Sequence, residues 1–226
     1  MAVSLKPLET TNLRSQIASN LREAIYRGDF RPGESIQEAM VASQLRVSRA
    51  PVREAILLLE KEGLVTVQAN RGAVIRSLTQ AELAEIMSMR YRLESWALEL
   101  ARPKVTPEIM AELRELHARM LEAAGRGDVR AFTNTDFAFH KLVWETGDNA
   151  LLAETLQRIA GPVFAFADIV LSQAGFDCSR LAELHHPIIA YLAGETEARP
   201  EDVLRDVFEY TFQSEWDVLF RDKERR

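Results

Sequence analysis

The 226-residue chain has a single cysteine, Cys178, so no internal disulfide can form. A core held by bridges is excluded, and a reducing compartment is expected. Long apolar runs are also missing: the longest of low charge, 161 to 171, contains Asp168 and falls short of the ~20 residues a membrane helix needs. The first twelve residues lack the basic and apolar regions of a secretion signal. The expectation is a cytoplasmic protein without a membrane partner. No glycine-rich phosphate loop, nucleophile elbow or Cys/His nucleophile pair occurs, so no catalytic residue is assigned. The repeated Glu-x-x-His motifs of carboxylate-bridged di-metal oxidases are absent too, and no enzyme is expected.

A net positive charge is lacking as well. On its average of −6 the chain is a poor partner for nucleic acid, because neutralising phosphates takes clustered Lys and Arg. The average hides a split. Residues 1 to 78 carry 11 Lys and Arg against 8 Asp and Glu, net +3, which leaves 17 against 26, net −9, on the remainder. Such asymmetry suggests two modules with different partners. With 47% hydrophobic and 27% charged residues, each can build a packed core. The expected division is 1–78 and 79–226.

In the first module Leu13, Ile17, Leu21, Ala24 and Ile25 recur at helical spacing, with Thr10 or Thr11 as N-cap. Arg31-Pro32-Gly33-Glu34 reads as a turn. A second helix fits 37 to 45. After a tight turn, Ser48 caps a third whose first turn tolerates Pro51 and which Gly63 ends. The period then alternates, with strands at 64–67 and 73–75 around a turn. Three helices and a β-hairpin form a winged helix-turn-helix. From Leu78 onward only helical periodicity remains, in six segments: 79–101, 106–124, 128–146, 149–172, 178–193 and 200–221. The fold class is mainly α.

A helix-turn-helix places the first turn of its second helix nearest the base edges. Here that turn presents Ser48, Arg49 and Arg53, the two arginines four apart and on one face. Arg carries the fork that best fits guanine and phosphate oxygens. Arg71, beside Gly72 in the hairpin turn, would sit at a wing tip and reach a minor groove or a phosphate. The alternative is a solvated face paired with Glu54 or Glu60. The segments 31–34, 47–55, 62–65 and 70–73 together resemble the N-terminal domain of the GntR family of bacterial transcription regulators. The resemblance implies that Arg49 and Arg53 contact operator DNA and that the wing contributes near Gly72. Arg46 stands where that family usually has Gly, and Ala50 where it usually has Thr. Arg46 is expected to add a DNA-backbone contact.

In the second module ionisable groups interrupt apolar stripes. One stripe reads Phe132, Asp136, Phe139, His140, Val143; another Leu181, His185, Ile188, Leu192; a third Ile86, Arg90, Leu93, Ala97. A buried charge is expensive unless paired or bound to metal. Asp136 and His140, four apart, can reach one metal ion, with an imidazole from another helix. Alternatively Arg90 pairs with Asp136 and the histidines are core residues.

The segments 89–94, 136–140, 147–152 and 185–189 resemble the FCD ligand-binding domain of the FadR-type GntR subfamily. Six helices make the chain similar to the VanR-like group. The resemblance implies a divalent metal, zinc, nickel or similar, on one Asp and three His beside a small carboxylate effector held near an Arg. Asp136, His140 and His185 match three ligands, with His186 an alternative to His185, and Arg90 and Tyr210 are the candidate effector-binding residues. The last helix offers Tyr210 where a His is usual, so a site of three protein ligands, or none, remains open. Taken together, the expectation is a ligand-responsive regulator that binds palindromic operator DNA as a homodimer. A bundle that only dimerises is the competing reading.

Overall fold

The computed structural model describes residues 13–26, 29–68, 72–174 and 177–214. Thr10, Thr11, Asn70, Arg71 and 215–221, all used in the sequence reading, lie outside them. Helix α1 (Leu13–Tyr26) buries Ile17, Leu21 and Ile25, the predicted face. The turn at 31–34 closes with the Glu34 N–H donating to the Arg31 carbonyl at 2.9 Å. It leads into a strand that the sequence reading lacked, β1 (Ser35–Ile36). Helices α2 (Glu38–Leu45) and α3 (Arg49–Lys61) follow, then β2 (Val65–Gln68) and β3 (Gly72–Ile75). The expected hairpin is therefore part of a three-stranded antiparallel sheet in the order β1-β3-β2, with Ser35 opposite Val74 and Ile36 opposite Ala73. Ile36, Val52, Ile56, Leu59 and Leu64 join the α1 face in one core.

The second module begins at a strong local signal. Thr79 accepts from the Glu82 N–H and Glu82 reaches back to the Thr79 N–H, a capping box that opens α4 (Gln80–Ala101). A 3₁₀ turn at Arg102–Lys104 leads to α5 (Pro107–Gly125), capped by Thr106. Then come α6 (Val129–Thr146), capped by Asp128, and α7 (Ala150–Ala174), which continues through Pro162. Helix α4 packs on α6 and α7, and α5 lies against α6.

The predicted helix over 178–193 is two short helices, α8 (Cys178–Glu183) and α9 (His186–Leu192). Pro187 supplies the reason. A proline's ring collides with the carbonyl four residues back, here Glu183, and it has no N–H to donate there. The chain breaks at Leu184-His185, and the His185 N–H donates instead to Ala182 at 3.1 Å. The last helix is α10 (Pro200–Ser214), packed on α4 and α9. Among the described residues no helix is long and apolar enough to cross a membrane.

The winged domain and the bundle meet beside Gly63. Gly63, with φ of 76°, follows α3; a Cβ there would lie 3.3 Å from Arg76 Nη1, 3.7 Å from the Arg158 carbonyl oxygen and 4.0 Å from Pro162 Cγ. That carbonyl is the one α7's own ladder would satisfy from residue 162, had it an N–H.

Ser48 stands at the N-cap of α3, yet its side chain makes no capping hydrogen bond, contrary to the sequence reading. Arg46 caps α2 with φ 53° and ψ 44°, a left-handed conformation that costs an L side chain about 1–2 kcal/mol. Glycine avoids that strain at some loss of unfolded-state order. Arg46→Gly is therefore expected to raise stability by about 0.5–1 kcal/mol, seen as a higher urea midpoint at unchanged m value.

Candidate metal centre and nucleic-acid interface

The bundle brings together Arg90 and Glu94 of α4, Asp136 and His140 of α6, and His185 of the α8–α9 junction. All five are buried. Each histidine has its Nδ1 committed to an acceptor. His140 Nδ1 lies 2.7 Å from Glu94 Oε2, and His185 Nδ1 lies 2.8 Å from the Leu181 carbonyl oxygen. An ionised carboxylate and a carbonyl only accept, so both Nδ1 atoms carry hydrogen and both Nε2 atoms of the neutral rings present lone pairs. Those Nε2 atoms are 3.2 Å apart. Asp136 Oδ1 stands 2.9 Å from one and 3.5 Å from the other, and still accepts no well-directed hydrogen bond. Three lone-pair atoms converging in a buried space need a cation or a proton among them. Asp136, His140 and His185 could hold a metal ion.

The electrostatics agree. Burial pushes the Glu94 carboxyl up, but Arg90 and then His140 overcome it and hold it at about 2. Burial likewise opposes the charged form of Asp136, and His185 beside it keeps it below the usual carboxylate range. The His185 ring is driven down by burial and up by Asp136, and the upward effect prevails. Asp136 thus favours a proton on His185 where no cation is bound.

The alternative pairing of Arg90 with Asp136 does not form. Arg90 Nε and Nη2 both lie 2.8 Å from Glu94 Oε1, and its guanidinium sits 4.7 Å above the Phe164 ring and 5.3 Å from that of Phe208. Glu94 is thus the residue that sequence reasoning missed. Its signal was present: it lies four residues after Arg90 on the same face, where Leu93 was read as filling the stripe. Tyr210 is also placed differently. Its hydroxyl donates to the Asp177 carbonyl at 3.4 Å, and the α10 side chains that line the cavity beside Arg90, Asp136 and His140 are Val207, Phe208 and Thr211. Tyr210 and Thr211 both lie near the face of Val207, and the packing of α10 turns Thr211 to the cavity. His186 is exposed and apart from the cluster. The cavity measures about 40 Å³, room for roughly three waters.

On the winged domain, Arg46, Ser48, Arg49 and Arg53 are all exposed around the start of α3. Arg53 does not pair with Glu54 or Glu60; it forks onto Glu38 of α2 at 2.9 and 3.2 Å. An exposed pair of this kind contributes little to stability, so a phosphate or a base edge displaces it readily. Gly72 opens β3 with φ of 72° and nothing near its Cβ position, so the turn rather than a neighbour requires glycine.

Comparison with known proteins agrees with this arrangement. Residues 13–75 match the bacterial regulatory proteins of the gntR family, and residues 85–209 match the FCD domain. The chain belongs to the GntR family of transcriptional regulators and carries an FCD domain. It is 28% identical over 152 residues to the HTH-type transcriptional regulator McbR of Escherichia coli, covering 67% of this chain and 69% of McbR. It is 32% identical over 145 residues to the regulator YdhC of Bacillus subtilis, 64% of this chain and 65% of YdhC. A probable D-xylose utilization operon repressor of Paenarthrobacter nicotinovorans is 29% identical over 211 residues, 93% of this chain and 92% of its own. The solved structure of McbR superposes with a TM-score of 0.79 at 24% identity, over 95% of this chain and all of that one, which shows a shared fold.

Glu94 yields a pH prediction. Its folded pKa of about 2 lies below the ordinary 4.5, so it contributes stability above pH 4.5 that is lost as the pH falls toward 2. In chelator, Glu94→Gln is expected to lower stability at pH 7 by about 3–5 kcal/mol, since Arg90 is left buried without its countercharge. The variant should also show a flatter decline between pH 4.5 and 2. Urea unfolding at a series of pH values measures both effects.

Proposed function

We propose that the chain is a ligand-responsive repressor that binds palindromic operator DNA as a homodimer in the cytoplasm, its modules dividing at residue 78. The observation that carries the sensor half is the convergence of three buried lone-pair atoms from Asp136, His140 and His185. A set of two imidazoles and a carboxylate suits zinc, nickel or a similar divalent ion and leaves a position open for an oxygen ligand. A bound metal would supply the positive charge that draws an anionic head group into the cavity. Arg90, fixed by Glu94 between two aromatic rings, would orient that head group, and Thr211 would offer it a hydroxyl. The cavity admits only the head group of a small carboxylate effector as it stands, so a larger effector must move α7 or α10.

That movement has a route to the DNA-reading helix. Val163, Phe164 and Ala167 of α7 line the cavity, while Arg158 and Pro162 of the same helix meet Gly63 at the end of α3. Effector binding would shift the two winged domains toward or away from the spacing that the operator requires. Coupling would thus cross at the α7 joint as well as through the linker at 77–80.

In the DNA-reading half, Arg49 and Arg53 would read base edges, Ser48, Arg46 and Gly72 the phosphates, and Arg71 the groove beside the wing. Arg49→Ala and Arg53→Ala should each weaken specific operator binding by about 1–3 kcal/mol. Arg46→Gly should lower the salt slope by up to about one unit. An unchanged slope would remove Arg46 from the interface. Metal analysis of protein purified without chelator tests the sensor: wild type should carry up to one equivalent, and His140→Ala far less. Equal metal content in both would reject the ligand assignment. If no small organic acid changes operator affinity in a metal-loaded screen, the bundle only dimerises.

A further inference from the structure

A cleft of about 450 Å³ lies between the winged domain and the bundle, away from the Asp136 cluster. Its volume is in the range of sites that hold small organic ligands, which favour domain interfaces. One wall is α1 and the end of α3, with Leu58 and Lys61; the other is α6 and α7, with Phe137, Lys141 and Arg158.

The charges in the cleft are unevenly matched. Arg22 and Glu62 cancel each other, joined by two hydrogen bonds of 2.7 and 2.6 Å. Lys141 approaches Glu145, outside the cleft, only to 3.6 Å. Among the described residues Lys61 and Arg158 have no ion-pair partner. Glu154 is the single unpaired carboxylate on the rim, and it is exposed. Three cations therefore face one carboxylate around a space whose remaining lining is Gln157 and the half-buried Leu58 and Phe137.

We propose that this cleft binds an organic dianion with a flat apolar body, the body against Leu58 and Phe137 and the anionic groups on Lys61, Lys141 and Arg158. Such a ligand touches α3 with one end and α6 and α7 with the other, so it pins the reading helix to the sensor. The Phe137 ring lies 5.1 Å from that of Phe164, which lines the metal-side cavity, so one aromatic contact separates the two sites. The cavity of about 40 Å³ cannot take this ligand; benzene alone fills an engineered cavity of about 150 Å³.

Isophthalate is a suitable probe, because its two carboxylates stand too far apart to chelate one metal ion. Calorimetric titration of the full chain in about 0.15 M salt, where long-range attraction is screened, should give saturable binding. Arg158→Ala and Lys141→Ala should each weaken it about fivefold, the loss of one exposed ion pair. Benzoate should bind correspondingly less tightly. His140→Ala should leave the affinity unchanged, and this outcome separates the cleft from the metal reading. Absence of saturable binding would overturn the proposal, as would wild-type affinity in the Arg158→Ala and Lys141→Ala variants. Loss of binding in His140→Ala would place the ligand at the metal cluster instead and reject the cleft.

Discussion

Glu94 is a carboxylate cut off from water, and the arrangement of the bundle's centre follows from how its charge is met. One oxygen takes the Arg90 guanidinium and the other takes His140 Nδ1. Removing Arg90 would leave the carboxylate buried without its countercharge, an imbalance worth several kcal/mol, and removing His140 would leave its second oxygen without a donor. The pairing also fixes chemistry. By accepting from Nδ1, Glu94 dictates which nitrogen of His140 faces the cavity, and it holds Arg90 upright between Phe164 and Phe208. Orienting partners of this kind set the tautomer and basicity of a ligating imidazole.

The same logic repeats one layer out. His185 is aimed by the Leu181 carbonyl, and that geometry exists because the chain breaks at 184–185 instead of running on as helix. Pro187 therefore acts on the site without touching it. It ends α8, which puts His185 at a junction where its ring can turn inward to meet Asp136. A metal and a proton are alternatives at this point, since a ligating Nε2 must be bare. Occupancy by a cation should accordingly fall as the medium is acidified.

Much of this was legible in the residues. One-sided burial repeats every three or four positions, so the helices declared themselves, and so did the anomaly of Asp136 and His140 on a stripe with Phe132 and Phe139. What stayed hidden depended on partners distant in sequence or on a choice between adjacent positions. Strand β1 has two residues, too few for any period to show, and exists because Gly33 and Glu34 hydrogen-bond to Ile75. The Glu38 that holds Arg53 lies fifteen residues away on another helix. Thr211 and Tyr210 are neighbours, and only the packing of α10 decides which meets the cavity. The break at Pro187 was readable in principle, yet the apolar stripe through it was continuous enough to mask it.

The net charge of −6 gains meaning from the same geometry. A module of net +3 cannot hold DNA by a broad field, so affinity must rest on a few placed arginines and, in the homodimer proposed above, would be raised by the doubled contacts of a second copy. Such a design makes relative placement of the two reading helices decisive, because half-sites tolerate little error in spacing. The joint at Gly63 is where that placement is set within one chain. Pro162 leaves the Arg158 carbonyl without its helical donor, and Gly63 lets the backbone after α3 approach to van der Waals distance. The positive φ of Gly63, which would strain an L side chain, requires glycine there more than crowding by α7 does; in the coupling proposed above, a displacement of α7 at the cavity would reach the end of the reading helix at this point.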